Sequence, residues 1–392
     1  MKKNNCALVL GGYVNGYSII QELYEKNVEN IILFDTSRKI ASYSNKIKKF
    51  VLINKSPECL YEKLNSLHKE YEQIIIFPTD ELQMQNLHKI HPDIASFCFL
   101  PYNYDNFLEC FDKYSQYLYC EKLGLPHPKT IPVDDIDQLN SINTIQYPIL
   151  IKPNRRDDQK INVFKNLKLE SKNELEEKRE LLEDYLGSGI TFLASEIIPG
   201  DSTNIYAYVG YRSQDGEILS EWTGKKLSQF PDDYGVFSSA SNEAPNQVLQ
   251  QGRILFEGMD LKGIIESEFK YDSRDGKFKL MEINLRSTMW NRVGNLSNVT
   301  VQYAQYLDAI GQIIEKQTQI KDIEIHFVYL KHEILNLIRR KYYRKIFVYN
   351  IFKSKKTYFA IYDLHDIKPF LIDCKAIFMS VVEVCLRALK II

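Results

Sequence analysis

The fold of this chain is decided by one segment, Gly263-Ile-Ile-Glu-Ser-Glu-Phe-Lys-Tyr-Asp-Ser-Arg-Asp-Gly-Lys-Phe-Lys-Leu-Met-Glu-Ile-Asn-Leu-Arg286. An alternating run over 264–271 leads into a polar turn, and an apolar run over 278–283 follows. This is the pattern of a β-hairpin. Because side chains alternate along a strand, Glu266 and Glu268 share one face of the first strand.

The acidic residues of this hairpin predict a metal site. If Lys270 pairs with Leu280, Glu268 lies opposite Glu282, and Asn284 shares the face of Glu282. Facing carboxylates repel each other unless a cation lies between them. Two carboxylates and an amide oxygen suit Mg²⁺, which takes its other ligands from water and nucleotide phosphates. The alternative is a solvated acidic strand face.

The same residues resemble a known family. The run Phe278-Lys-Leu-Met-Glu282-Ile-Asn284-Leu-Arg286, preceded by Glu268-Phe-Lys, is similar to the metal-binding strands of ATP-grasp ligases, especially the carbamoyl-phosphate-synthase-like members. The resemblance extends over residues 5–310 and implies an α/β fold of the α+β ATP-grasp type. The implied parts are an N-terminal parallel-sheet domain (1–105), an ATP-grasp core (106–312) with subdomains 106–194 and 195–312, and a small C-terminal extension (313–392).

Composition argues against several other classes. A net charge of −1 provides no field that would recruit nucleic acid, and no nucleic-acid partner is expected. The sequence has no apolar run of about 18 residues that would span a membrane, and its start is not typical of a signal peptide. The 7 cysteines are scattered without a C-x-x-C pair, which is typical of reduced thiols. A cytoplasmic protein is therefore predicted.

The first hundred residues predict a parallel sheet. A strand over 7–10, a glycine turn, a helix over 17–24 and a strand over 31–34 form a βαβ start. Asp35 comes 23 residues after Gly12, as an acid that binds a dinucleotide ribose would. This leaves a rival interpretation open, an NAD-dependent oxidoreductase, although the glycine spacing differs from G-x-G-x-x-G.

A further strand over 73–77 ends in Pro78-Thr79-Asp80-Glu81. Polar residues at the carboxyl end of a parallel strand face the crevice where ligands bind. In the family that the chain resembles, a similar N-terminal domain often lines the substrate site, so the resemblance implies that Asp80 and Glu81 are candidates for the acceptor site. The alternative is a helix N-cap at Thr79 or Asp80.

The family resemblance implies several lysines at a nucleotide site. Lys113 would reach the phosphates from the start of a helix, and Lys152, at the end of an apolar strand, would contact the α- and β-phosphates. An unpaired lysine buried at such a place would cost several kcal/mol. A Gly-rich flap usually follows, but here 154–160 contains no glycine, so Arg155, Arg156 or Lys160 would act as the clamp. A solvated loop is the alternative.

The segment from Phe192 to Asp201 resembles the linker that holds adenine. The main chain at Glu196, Ile197 and Ile198 would pair with the adenine edge, and Asp201 would meet ribose or substrate. These are expectations from the resemblance, because main-chain contacts do not depend on the side chain.

On the acceptor side, the resemblance places Lys226, or next Lys225, near the reacting carboxyl phosphate. A salt-bridged strand lysine is the alternative. Arg286 shares a strand face with Asn284, where it would stabilise charge on the transferred phosphoryl group. Asn295 is a weaker polar candidate.

The last eighty residues are basic, with a cluster at 339–345 among tyrosines. His332-Glu333 lacks the second histidine of a zinc helix and is not taken as a metal site. A mostly apolar helix is predicted over 376–392. It would lie on an anionic membrane surface, or it would pack on the protein body or on a homodimer partner.

The resemblance implies a ligase that uses ATP and Mg²⁺ or Mn²⁺ to join a small-molecule carboxylate to an amine through an acyl phosphate. Similar stand-alone proteins resemble amino-acid ligases that modify bacterial cell-surface polymers and polysaccharides, D-aspartate ligases among them. The alternatives are carbamoyl-phosphate-type chemistry, a non-catalytic nucleotide-binding scaffold and, last, the oxidoreductase.

Overall fold

The computed structural model describes residues 2–154, 163–232 and 235–388. The chain forms two compact units. The first unit contains Met1–Tyr104, Ser202–Glu266 and Asn284–Ile392, and the second contains Asp105–Asp201 and Ser267–Ile283. These units are defined by packing, and the domain limits expected from the sequence stay a prediction.

The first unit begins with a parallel sheet of order β3-β2-β1-β4-β5. Its elements are β1 (Lys3–Leu10), α1 (Val14–Glu25), β2 (Ile31–Asp35), β3 (Lys49–Leu52), α2 (Pro57–His68), β4 (Tyr71–Pro78), α3 (Glu81–Ile94) and β5 (Cys98–Phe99). The central strand β1 pairs in parallel with β2 and with β4. It is buried from Cys6 to Leu10, as expected of a strand covered on both faces. The prediction of an N-terminal parallel sheet is confirmed.

The second unit has a smaller antiparallel sheet of order β6-β9-β7-β8. Its elements are α4 (Phe107–Phe111), α5 (Lys113–Leu123), β6 (Thr130–Val133), β7 (Ile149–Pro153), β8 (Leu167–Leu169), α6 (Lys172–Gly187) and β9 (Phe192–Glu196). Ser171 caps the start of helix α6, because its hydroxyl accepts a hydrogen bond from the Glu174 N–H at 3.4 Å. Its buried leucines pack with the strands around Phe192.

The largest sheet has the order β14-β13-β10-β11-β12-β15-β16. The remaining elements are β10 (Ile205–Arg212), β11 (Ile218–Phe230), β12 (Val236–Ser241), α7 (Asn246–Gly258), β13 (Gly263–Asp272), β14 (Lys277–Asn284), α8 (Arg292–Leu296), α9 (Val301–Ala309), β15 (Ile325–Val328), α10 (Leu330–Arg339), α11 (Arg344–Phe352), β16 (Lys356–Phe359) and α12 (Ile367–Ala388). Strands β13 and β14 are the two strands predicted for the opening segment, and Gly276 in their turn has φ +70°. Glycine is the residue that adopts this conformation without strain.

The C-terminal extension is part of the sheet and not a separate appendage. Strand β15 pairs antiparallel with β12, and β16 pairs in parallel with β15. Helix α12 begins at Ile367, nine residues before the predicted start, and its first half packs on the protein's own body. Asp373, only 2% exposed, accepts a hydrogen bond from the Tyr329 hydroxyl at 2.9 Å. In the described part of the chain, no helix is long and apolar enough to cross a membrane.

Candidate active site

The glycine turn after β1 is held by Asp35, the residue that the oxidoreductase interpretation assigns to ribose. The Gly12 N–H donates to Asp35 Oδ2 at 2.6 Å, and the Thr36 N–H donates to Oδ1 at 2.6 Å. Lys39 forms an ion pair with Oδ1 at 3.1 Å. The Asp35 carboxylate is 3% exposed and is used within its own loop. This arrangement argues against a dinucleotide role for Asp35.

At the end of β4, Asp80 is a helix cap. Its Oδ1 accepts the Gln83 N–H at 2.9 Å, and Gln83 Oε1 accepts the Asp80 N–H at 3.3 Å. This is a complete capping box at the start of α3. The N-cap alternative is thus confirmed for Asp80. The next residue, Glu81, forms an ion pair with Arg286.

Arg286, which the resemblance assigns to the transferred phosphoryl group, is held by three neighbours. One terminal nitrogen bonds Glu81 and donates to Asn284 Oδ1 at 3.3 Å, and the other donates to the Ser287 carbonyl at 3.2 Å. The Nε–H group is buried and has no hydrogen-bond partner among the described residues. A buried, unpaired N–H costs free energy, so a ligand that accepted a hydrogen bond from this group would be favoured.

Glu266 is a residue that the sequence analysis did not place in the site. It is 1% exposed and accepts the Thr288 hydroxyl at 2.5 Å on Oε2. The Asn284 amide nitrogen donates to Glu266 Oε1 at 3.4 Å. This contact orients the Asn284 amide, so that its nitrogen points to Glu266 and its oxygen points away. The signal was present in the sequence, because Glu266 shares a strand face with Glu268.

In the second unit, the structure brings Lys113 and Glu282 together although 169 positions separate them. Lys113 Nζ lies 3.1 Å from Glu282 Oε2, and both side chains are about one-third exposed. Helix α5 is bound to β14 on the same side: Gln116 pairs with the main chain of Ile283, and the Tyr117 hydroxyl donates to the Met281 carbonyl at 2.9 Å. These bonds explain why a predicted phosphate ligand lies beside a predicted metal ligand.

The side chain of Glu196 belongs to an ion-pair network. Lys279 Nζ lies 3.1 Å from Glu196 Oε1 and 2.8 Å from Asp272 Oδ2, and Arg274 contacts both acids. Burial alone would raise the pKa of Glu196, but hydrogen bonds from the Lys129 N–H and from Lys279 outweigh it and lower that pKa. The Glu196 side chain therefore holds the hairpin turn, and a contact with adenine would come from the main chain.

In the main chain of the linker, the Ile197 carbonyl lacks the hydrogen-bond donor that a paired strand normally provides. The Ile197 N–H donates to the Pro148 carbonyl at 3.1 Å, and the Glu196 N–H donates to the Lys129 carbonyl at 2.9 Å. In an antiparallel pair the partner residue normally donates in return. Proline has no N–H, so Pro148 leaves the Ile197 carbonyl without that donor. Ile198 is buried, and the Gly200 carbonyl accepts Lys270 Nζ at 2.7 Å.

The other predicted residues are placed as follows. Lys152 lies on β7 opposite Leu193 and is half-buried. Lys226 lies on β11 opposite Ala240 and is 6% exposed. Glu268 on β13 is 9% exposed, and Asp201 lies after β9, at the end of the linker. Lys160, Arg155 and Arg156 lie outside the described residues. The Asn295 oxygen accepts a hydrogen bond from Arg292. The ligand roles given to these residues stay predictions.

The predicted metal ligands carry carboxylate and amide oxygens, which are the donor types that suit a magnesium ion bound to a nucleotide. Glu282 already has a cation beside it, Glu268 is a nearly buried acid, and Asn284 has its amide oriented by Glu266. Within residues 2–154, 163–232 and 235–388, no group of three or more His, Cys, Asp or Glu could hold a metal. Two carboxylates and one amide would therefore need further oxygens, and phosphates supply them to Mg²⁺.

Comparison with known proteins gives one sequence relative and several structural neighbours. No family model matches the chain. A D-aspartate ligase from Enterococcus faecium (strain Aus0004) is 26% identical over an alignment of 270 residues, and the match covers 65% of this chain and 58% of that protein. The chain thus spans less than two thirds of the relative's length.

Among solved structures, N5-carboxyaminoimidazole synthetase from Staphylococcus aureus complexed with ADP matches with a TM-score of 0.62 and 15% identity, covering 82% of this chain and 81% of that one. L-amino acid ligase from Bacillus licheniformis matches with a TM-score of 0.57 and 13% identity, covering 81% and 76%. Phosphoribosylglycinamide synthetase from Anaerococcus prevotii matches with a TM-score of 0.57 and 12% identity, covering 79% and 76%. At identities this low, the structural matches establish the fold alone. It is the fold that the sequence predicted.

Proposed function

We propose that this chain is an ATP-dependent carboxylate-amine ligase of the ATP-grasp superfamily. The fold that it shares with N5-carboxyaminoimidazole synthetase and L-amino acid ligase supports this proposal, as does its likeness to a D-aspartate ligase. In the first step, a substrate carboxylate oxygen attacks the γ-phosphorus of ATP, the bond to ADP breaks, and an acyl phosphate forms. In the second step, an amine nitrogen attacks the acyl carbon, phosphate leaves, and the nitrogen loses a proton. The products are an amide, ADP and phosphate.

The contact between Lys113 and Glu282 carries this proposal. Phosphoryl transfer depends on positioning and on neutralising phosphate charge. Lys113 Nζ lies 3.1 Å from the Glu282 carboxylate, so a cation that could contact phosphate lies beside an acid that could bind the metal, as the binding of a metal-bound triphosphate would require. Bound Mg²⁺ or Mn²⁺ would neutralise phosphate charge and orient the γ-phosphate. Glu268, Glu282 and Asn284 would hold the ion, and Lys152 would contact the phosphates.

Adenine would be held through the main chain of the linker. The exocyclic amino group of adenine is a donor, and the Ile197 carbonyl lacks the donor that any residue other than proline would supply at position 148. This supports an assignment of the adenine edge to Ile197 and Ile198. Glu196 would take part through its main chain only, because its side chain is bonded to Lys279 and Arg274. Asp201 would meet ribose or substrate.

Arg286 and Lys226 would act on the reacting groups. The buried Nε–H of Arg286 is a donor that lacks a partner, and a developing negative charge on the transferred phosphoryl group or the tetrahedral intermediate would supply one. Lys226 is nearly buried on β11, where a positive charge would stabilise the acyl phosphate. Lys160, Arg155 or Arg156 would clamp the γ-phosphate from the glycine-free loop.

For the substrates, we propose an amino acid as the carboxylate and a cell-surface polymer precursor as the amine. The name of the sequence relative, a D-aspartate ligase, supports an amino-acid substrate. ATP is a cytoplasmic substrate, so the reaction would take place in the cytoplasm.

The test is a screen for ADP release. The purified chain is incubated with ATP, Mg²⁺, one amino acid and one amine, and the products are identified by mass spectrometry. We expect ADP release that depends on both substrates and is abolished by Glu282→Ala. Glu180→Ala, which removes an exposed carboxylate from α6, is the matched control and should keep full activity.

The alternatives give different results in the same screen. A non-catalytic scaffold binds ATP but releases no ADP with any pair. Carbamoyl-phosphate-type chemistry releases ADP with bicarbonate and ammonia and needs no amino acid. NAD binding without ATP binding would indicate the oxidoreductase. Full ADP release by Glu282→Ala would refute the metal role given to this residue.

A further inference from the structure

Helix α11 exposes one complete face to solvent. Arg344, Lys345, Val348 and Phe352 follow at intervals of one, three and four residues, which places them on one side of the helix, and exposed Lys353 follows directly at its C-terminal end. Tyr342, two residues before the start of the helix, is 94% exposed, Phe352 is 71% exposed and Val348 is 41% exposed. We call these six residues the α11 surface. Exposed aromatic and aliphatic side chains in such a group are unusual for a surface that meets only water.

The opposite side of α11 is firmly attached to the first unit, so this exposure is not the result of a loose helix. Asn350 is fully buried, and its amide nitrogen donates to Ser228 Oγ at 3.1 Å. The Tyr343 hydroxyl donates to the buried carboxylate of Glu333 at 3.0 Å. These bonds set the direction in which the α11 surface points.

The α11 surface has only one sign of charge. The stretch 337–353 contains no Asp or Glu, and its basic residues are Arg339, Arg340, Lys341, Arg344, Lys345 and Lys353. Two neighbouring acids are already engaged: Asp232 pairs with Arg340 at 2.8 Å, and Glu324 accepts from Tyr349 at 3.2 Å. Within the part of the chain that the structure describes, Arg344, Lys345 and Lys353 form no ion pair.

We propose that the α11 surface binds the headgroup region of an anionic membrane. Basic side chains that alternate with apolar ones on one helix face can reach lipid phosphates while the apolar groups enter the acyl boundary. The complementary charge is that of the anionic leaflet. A nucleic acid would use the basic groups but would gain little from burying Val348. This inference goes beyond the proposed ligase activity and does not depend on it.

Vesicle binding tests the proposal. The full chain is mixed with phosphatidylcholine vesicles that do or do not contain phosphatidylglycerol, and the bound fraction is measured by sedimentation. We expect binding only with phosphatidylglycerol, weakened by salt. Reversal of three charges (R344E, K345E and K353E together) should weaken binding by at least about a hundredfold, because each basic residue near an anionic surface contributes about fivefold and the new glutamates add repulsion. Phe352→Ala should weaken it less.

A matched variant controls for net charge. Reversal of exposed lysines outside the α11 surface (K69E, K89E and K316E together) changes the charge equally and should keep most of the binding. Equal losses in both triple variants, or no binding of the natural chain to anionic vesicles, would overturn the proposal. The proposal would also be overturned if a protein partner or an RNA displaced the chain from vesicles and lost more affinity than the vesicles do when the same three basic residues are reversed. Tryptophan fluorescence verifies that each variant is folded.

Discussion

Replacement of Glu333 should destabilise the first unit more than any single exposed substitution. This glutamate on α10 is fully buried, and its carboxylate accepts hydrogen bonds from two strands and from the segment that follows. The donors are Ser228 at 2.5 Å, Ser238 at 2.7 Å, Ser239 at 2.8 Å, Tyr343 at 3.0 Å and Asn350 at 3.3 Å. The carboxylate therefore ties β11 and β12 to α10 and α11.

The magnitude follows from what the substitution leaves behind. Glu333→Ala removes the acceptor and leaves several buried donors unpaired. Each buried donor left without an acceptor costs about 1–3 kcal/mol, so a total loss of about 3 kcal/mol or more is expected. Ser239→Ala removes one hydrogen bond to a charged group, for which the expected cost is about 2 kcal/mol. Glu333→Gln keeps the volume and one acceptor oxygen, so its cost should lie between that of the alanine variant and zero.

Tryptophan fluorescence during urea unfolding is the appropriate assay. The 2 tryptophans of the chain, Trp222 and Trp290, are buried in the first unit, so their fluorescence reports on that unit. Glu315→Ala, at an exposed position, is the control and should change the free energy of unfolding by less than about 0.5 kcal/mol. If Glu333→Ala unfolds within about 1 kcal/mol of the natural chain, the network does not stabilise the fold as argued.

Three further predictions concern other parts of the molecule. Gly16→Ala should prevent stable folding, because the new methyl group would overlap a backbone carbonyl of the glycine turn, whereas Gly187→Ala meets no atom within 4 Å and should be tolerated; thermal unfolding of the two variants compares them. The hydrogen bond from Arg274 holds the pKa of Asp272 below its usual 3.8, so the stability that this carboxylate contributes is complete above that pH and is lost as the pH falls further. Asp272→Asn should flatten this acid dependence in circular dichroism, and parallel pH curves would contradict it. Lys113→Ala should change unfolding by less than about 1 kcal/mol, since its ion pair is partly exposed, yet reduce the rate of ADP release at least about tenfold.

The sequence by itself determined the features that depend on residues close together in the chain, namely strands, turns and helix caps. Alternation and a glycine turn predicted the hairpin of β13 and β14, and Asp80 and Ser171 preceded helices at the spacing of caps. Local patterns of this kind are encoded within one element, because backbone geometry sets which side chains share a face. The family resemblance rested on the same hairpin.

Only the tertiary structure decided which distant residues meet. Lys113 lies beside Glu282 because α5 is bonded along β14, and no pattern near either residue reports this. Asp35 closes its own glycine turn, and Glu333, passed over in the sequence because no second histidine follows, is the buried centre of a network. The C-terminal strands enter the large sheet beside β12. Burial and long-range pairing gain free energy only after the chain has folded, so short stretches of sequence cannot encode them alone.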